Sequence, residues 1–203
     1  ALVPSLPARP PKTRTVNDEA SASAVTDFGS GILFTPFACG RLRLRNRIAM
    51  APMTRERSPN GVPGEDCAAY YRRRAEGGVG LVITEGTSPQ EAGTYGMHVP
   101  RLYGEAALHG WRRVVDEVHA GGAGIVAQLW HVGGWHPSFS GGKDTLPAHT
   151  VRLSPSAVSG AGTPVGEAMT EAQIADTIEA FATAAQAALA TGFDGVEIHE
   201  IGR

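Results

Sequence analysis

The sequence predicts an α/β fold of the (β/α)8 TIM-barrel type, present as about four βα units, and three observations carry that prediction. Short apolar runs alternate along the chain with segments of helical periodicity. The runs lack the polar alternation of a half-exposed strand, as expected where helices cover a parallel sheet joined by right-handed crossovers. No G-x-G-x-x-G and no P-loop follows any run, which counts against the competing nucleotide-binding doubly wound folds.

The elements follow in order. Residues 1 to about 31 are rich in Pro, Ala and Ser, lack an apolar targeting core and carry Asp18 and Glu19, so a disordered leader is expected there. Arg41, Arg43, Arg45 and Arg47 alternate with Leu42, Leu44 and Asn46, the pattern of a strand with one wet face. "RIAMAP" is the first apolar run, ended by Pro52, and "EDCAAYYRRRAEGG" is a helix stopped at Gly77-Gly78. "VGLVITEG" is the second strand. In the helix after it, Leu108, Trp111, Val114, Val115 and Val118 recur at helical spacing up to Gly121-Gly122. "AGIVAQLWH" is the third strand. Residues 132–169 show no period and read as a long loop of the kind that covers sites. Thr170 and Gln173 form a capping-box pattern, and Ile174, Ile178, Phe181, Ala185 and Leu189 mark the expected core-facing stripe of a helix closing at Gly192. "GVEIH" is the fourth strand.

With 42% hydrophobic residues among 203, the chain has material for a substantial core. Lys and Arg total 18 against 20 Asp and Glu, a net charge of -2, so no general attraction to nucleic acid or to an anionic membrane is expected, and the partners expected are small molecules. No apolar run approaches the roughly 20 residues of a membrane helix. Cys39 and Cys67 stand apart, without zinc spacing, so no metal site is expected and a reducing, cytoplasmic location fits best.

In either competing architecture functional groups gather at the carboxyl ends of the strands, where Pro52-Met53-Thr54, Glu85-Gly86, Gln128 to His131 and His199 lie. The Gln128 amide carries both donors and an acceptor and can match a cyclic imide edge such as a flavin pyrimidine; it reads equally well as satisfying a backbone group beneath a loop. Thr54 can donate to a flavin oxygen that gains charge on reduction, or simply form a turn. Gly86 admits a planar ring against backbone, or punctuates a turn. The His199 imidazole can polarise a carbonyl, although a lone His is more often structural, and His131 and His136 carry weaker signals. Trp130 either walls a ligand pocket or fills the top of the core.

Taken together, "RIAMAPMTRERSPNGVP", "AAYYRRRAEGGVGLVITEGTSPQEAG", "GWRRVVDEVHAGGAGIVAQLWHVGGWHP" and "TGFDGVEIH" closely resemble the old yellow enzyme family, the FMN-dependent ene-reductases, in order from about Leu33 to His199. The resemblance implies a (β/α)8 barrel with FMN at the carboxyl ends of its strands, reduced by NAD(P)H and reoxidised by an activated alkene such as an enone. It further implies that Pro52, Met53 and Thr54 flank the isoalloxazine, with Thr54 tuning its reduction. Gly86 would lie against the ring and Gln128 would hold its pyrimidine edge. His199 would grip the substrate carbonyl, with Trp130 beside it.

The family pattern continues beyond its histidine with an Asn or His three positions on and then a Tyr, whereas this sequence places Gly202 at the third position with no Tyr after it. The stretch from Ile48 onward is also well short of the roughly 250 residues of a complete barrel. Residues 32–203 are therefore expected to form a partial barrel holding strands one to four, with "EIGR" expected to be a tail left by truncation, frameshift or alternative splicing. The alternative expectation is a catalytically inactive half-barrel serving as a binding or self-associating module, paired with a second copy or with a complementing barrel half.

Overall fold

A computed structural model describes residues 31–134, 151–158, 162–164 and 166–200. Of the expected leader, residues 1 to about 31, residues 1–30 lie outside the described residues, and Gly31 belongs to a 3-10 turn, Gly31–Phe34. His136, Gly202 and most of the predicted long loop also lie outside them.

In chain order the strands are β1 (Phe37–Cys39), β2 (Leu42–Leu44), β3 (Ala49–Met50), β4 (Leu81–Thr87), β5 (Gly124–Leu129), β6 (Leu153–Ser154), β7 (Glu167–Ala168) and β8 (Gly195–Ile198). The helices are α1 (Glu65–Glu76), α2 (Glu105–Ala120) and α3 (Glu171–Thr191). β1 and β2 form an antiparallel hairpin in which Arg41, Arg43, Arg45 and Arg47 are exposed and Leu44 and Asn46 are buried, as the alternation predicts. The principal sheet has the order β3-β4-β5-β8, with every pairing parallel and one helix crossing between each consecutive pair. This is the βα succession of a barrel wall.

Local chemistry sets the helix ends. α1 opens with Glu65 and Asp66 and closes with Arg73 and Arg74, each pair complementing the helix dipole. α3 carries the predicted capping box: the Gln173 N–H donates to Thr170 Oγ1 and the Thr170 N–H donates to Gln173 Oε1. Gly192, at φ 107°, ends α3 in a left-handed turn that only glycine adopts without strain. Leu108, Trp111, Val114, Val115 and Val118 of α2 are all buried as predicted, packing on Tyr71 of α1, on Val82 and Ile125 of the sheet and on Phe193.

The predicted stripe of α3 needs correction. The buried face is Ala184, Ala187, Ala188 and Thr191, while Ile178 is 67% and Leu189 is 65% exposed. Small side chains let α3 approach α2 and the sheet closely. Residues 178 and 189 lie about one 100° step round the helix from that face, beyond the reach of either. Phe181 and Ala185, between the two faces, are partly buried against the core.

One irregularity shapes the carboxyl end of the sheet. The β4–β5 register shifts between Ile83 and Gly86, so Thr84 and Glu85 leave the ladder and Gly86 stands opposite Gln128. Side chains satisfy the backbone groups this frees. The Gln128 N–H donates to Thr84 Oγ1 (3.0 Å) and the Glu85 N–H to the Tyr71 hydroxyl (2.8 Å). The Glu85 carbonyl accepts from the hydroxyls of Thr84 (2.9 Å) and Thr87 (3.0 Å). Thr84→Val removes the acceptor for Gln128 while keeping shape, and it is expected to lower unfolding free energy by about 1–3 kcal/mol, the cost of a buried donor left unpaired. Thr84→Ser should retain most of that stability, and denaturant midpoints of the two variants check both statements.

Candidate functional site

The carboxyl ends of β3, β5 and β8 meet around one pocket lined by Pro52, Thr54, Gln128, Trp130 and His199. These five come from three separate stretches of sequence, and the parallel sheet brings them together. Thr54 stands four residues beyond β3 in a segment with no regular structure. Gln128 lies in β5, with 5% of its surface exposed. Its side chain lines the pocket. A nearly buried amide lining a pocket suits a ligand presenting both donor and acceptor edges. His199 follows β8, and its N–H donates to the Leu129 carbonyl (2.9 Å), which extends the β5–β8 ladder by one step and holds the imidazole at the rim.

Trp130 is the centre of an aromatic row. Tyr95 stacks on it with centroids 5.3 Å apart and planes 23° apart, and the His199 ring meets it edge-on at 5.8 Å. The indole Nε1 is buried and has no hydrogen-bond partner among the described residues. Beneath the indole lies Gly86: a Cβ there would stand 2.2 Å from Trp130 Cε3. The glycine therefore serves a close approach.

The remaining sequence-predicted residues fall outside this lining. Met53 does not line the pocket and is 51% exposed. His131 packs over Gly93, its Nδ1 accepts from the Gly133 N–H (3.0 Å), and burial lowers its pKa, so it is a neutral packing residue at neutral pH. Among the described residues no cluster of three or more His, Cys, Asp or Glu side chains could hold a metal ion, and no helix is long and apolar enough to cross a membrane.

Sequence reasoning missed two features. Tyr95 sits in a loop without periodicity, where nothing local signals a ring partner. Arg55 and Glu85 form a buried pair under the pocket wall, Nη1 to Oε1 3.7 Å; an acidic residue inside an otherwise apolar strand was the available signal.

The chain matches the sequence profile of the NADH:flavin oxidoreductase / NADH oxidase family over residues 32–202. It is 39% identical over 177 residues to a 12-oxophytodienoate reductase of Oryza sativa subsp. japonica, covering 82% of this chain and 44% of that protein. It is 44% identical over 173 residues to a chanoclavine-I aldehyde reductase of Penicillium roqueforti, covering 82% and 45%. Among solved structures it is similar to morphinone reductase, with a TM-score of 0.72 and 35% identity over 86% of this chain and 49% of that one. An old yellow enzyme homologue from Zymomonas mobilis gives a TM-score of 0.68 and 33% identity over 82% and 48%. The chain thus spans about half the length of the relatives it matches.

The contact at Gly86 generates a test. Gly86→Ala is expected to cost about 1–3 kcal/mol by overpacking against the indole. Combining it with Trp130→Ala should recover most of that penalty, a coupling readable in a double-mutant cycle of denaturation free energies.

Proposed function

The chain belongs to the NADH:flavin oxidoreductase / NADH oxidase family, and we propose that the protein it forms is an FMN-dependent, NAD(P)H-driven reductase of activated alkenes. The single observation that carries this reading is the pocket at the strand ends, which Gln128, Thr54 and His199 line together. That donor set fits a flavin and a carbonyl substrate. An amide with both donor and acceptor matches the pyrimidine edge, a hydroxyl suits an oxygen that gains charge, and an imidazole suits the substrate carbonyl.

When bound, FMN supplies the hydride for the alkene and is recharged by NAD(P)H. The chain's own residues bind and orient. Gln128 would hold the pyrimidine edge. Thr54 would donate its hydroxyl beside it, with Pro52 and Met53 flanking the ring. Gly86 would bring bare backbone to the ring, which requires the Trp130 indole now over it to swing aside. His199 would donate a hydrogen bond to the carbonyl of an enone and stabilise the negative charge that develops on that oxygen. Trp130 would wall the substrate side. Free Cys39 and Cys67 support placing the protein in a reducing compartment such as the cytoplasm.

Because the chain spans about half of its relatives, the test supplies the remainder. The chain is co-expressed with the carboxyl-terminal half of the Zymomonas mobilis homologue, and the complex that co-purifies is assayed. The expected result is a yellow complex that oxidises NAD(P)H when 2-cyclohexenone is added. In that complex Thr54→Ala should make the flavin harder to reduce by about 1.5–3 kcal/mol, the contribution of a hydrogen bond to a charged group. A co-purifying complex that is colourless and inert toward the enone would contradict the proposal.

A further inference from the structure

Residues 51–58, between β3 and the 3-10 turn at Pro59–Gly61, have no helix or strand to fix them, yet they carry Pro52 and Thr54 to the pocket. Something else must hold Thr54 in place. Glu85, displaced from the β4 ladder by the register shift, is fully buried directly beneath this segment. Its Oε2 accepts the Arg55 backbone N–H at 2.9 Å, and the neighbouring Glu56 N–H also favours its charged form. Consecutive backbone N–H groups of this kind favour a buried anion beside them. Glu56 adopts φ 53°, a left-handed conformation that non-glycine residues avoid and keep only when their surroundings impose it.

We propose that Glu85 is a positioning residue of the pocket: its buried carboxylate captures the backbone N–H of Arg55 and so sets where Thr54 stands. The alternative, that Glu85 merely pairs with the Arg55 side chain, fits the geometry less well. Oε1 and Arg55 Nη1 lie 3.7 Å apart, and neither atom has a hydrogen-bond partner. The well-made contact of the carboxylate is therefore with the backbone. The guanidinium is held from its other side, 4.0 Å over the Tyr70 ring and 3.8 Å from Asp66. Burial raises the Glu85 pKa against the opposing pull of the two N–H donors and Arg55. Burial also pushes the neighbouring Cys67 thiol up to about 12, so Cys67 stays neutral and adds no charge of its own. A charge buried at such cost for an imperfect ion pair is poorly explained by stability, since apolar replacements of such pairs are often neutral or stabilising. Holding a catalytic loop explains it.

The test is amide hydrogen exchange, followed by NMR on the chain itself. Glu85→Gln preserves shape but turns an NH2 group toward either the Arg55 N–H or the guanidinium. It is expected to speed exchange at Arg55 and Glu56 by about tenfold or more, with Val114 and Val115 of α2 unchanged. Arg55→Lys keeps both backbone donors and should leave that protection intact. Should Glu85→Gln not fold, Glu85→Asp, which retracts the carboxylate by one methylene, should speed the same two amides by a smaller factor. Wild-type protection in the Glu85 variant, or equal loosening in Arg55→Lys, would overturn the inference.

The consequence for flavin rests on the reading under Proposed function and has its own readout. In the co-purified, flavin-loaded complex Glu85→Gln should shift the reduction potential in the same direction as Thr54→Ala, and the double variant should shift it no further. Additive shifts would overturn the positioning role. Absence of flavin from the wild-type complex would instead sink the functional reading, with the exchange experiment still deciding on the latch.

Discussion

The register shift in β4 between Ile83 and Gly86 is the constraint on which the rest of the site depends. A regular ladder would alternate side chains between the two faces through Thr87. The shift instead buries Thr84 and Glu85 in succession and sets Gly86 opposite Gln128. Each consequence serves a different wall of the pocket. Thr84 receives the Gln128 N–H, Glu85 reaches under the segment that carries Thr54, and Gly86 seats the Trp130 indole. One extra increment of chain thereby couples three strand ends that share no local sequence.

The backbone cost of this distortion is met within a few ångströms. Tyr71 accepts the freed Glu85 N–H, and the hydroxyls of Thr84 and Thr87 converge on the freed carbonyl. Below that layer the core is apolar and close-packed around Trp111, Val114, Val118 and Ile125, all with no exposed surface. The division is physical: an apolar body fixes where the strands end, and polar groups at those ends are left with bonding capacity to spare. Trp130 carries an unpaired donor there and Gln128 lines the pocket, whereas the Gln90 NH2 already donates to Thr177 and the Gln173 amide oxygen accepts within the α3 cap.

Much of this was legible in the sequence. The strand–helix succession, the capping box at Thr170 and Gln173, and the buried face of α2 are written in short-range spacing, which depends only on local geometry. Ordered motifs also marked the strand-end residues, of which the structure brings Pro52, Thr54, Gln128, Trp130 and His199 to one pocket. The face of α3 was misread because hydrophobic size favoured Ile178 and Leu189, while close packing selected the smaller alanines. The β4 shift and the Tyr95 stack were not legible, since each is a contact between segments far apart in sequence and neither leaves a period; of the Glu85 contacts the sequence shows only an acidic residue within the strand.

Gln128 is the amide proposed to meet the cofactor. Its side-chain NH2 resonance, assigned in an 15N-labelled complex of this chain with the complementing half, is the direct test. On loading with FMN that resonance should move, while that of Gln90, whose NH2 already donates to Thr177, should stay in place. Flavin that binds and leaves the Gln128 amide unmoved would contradict the account.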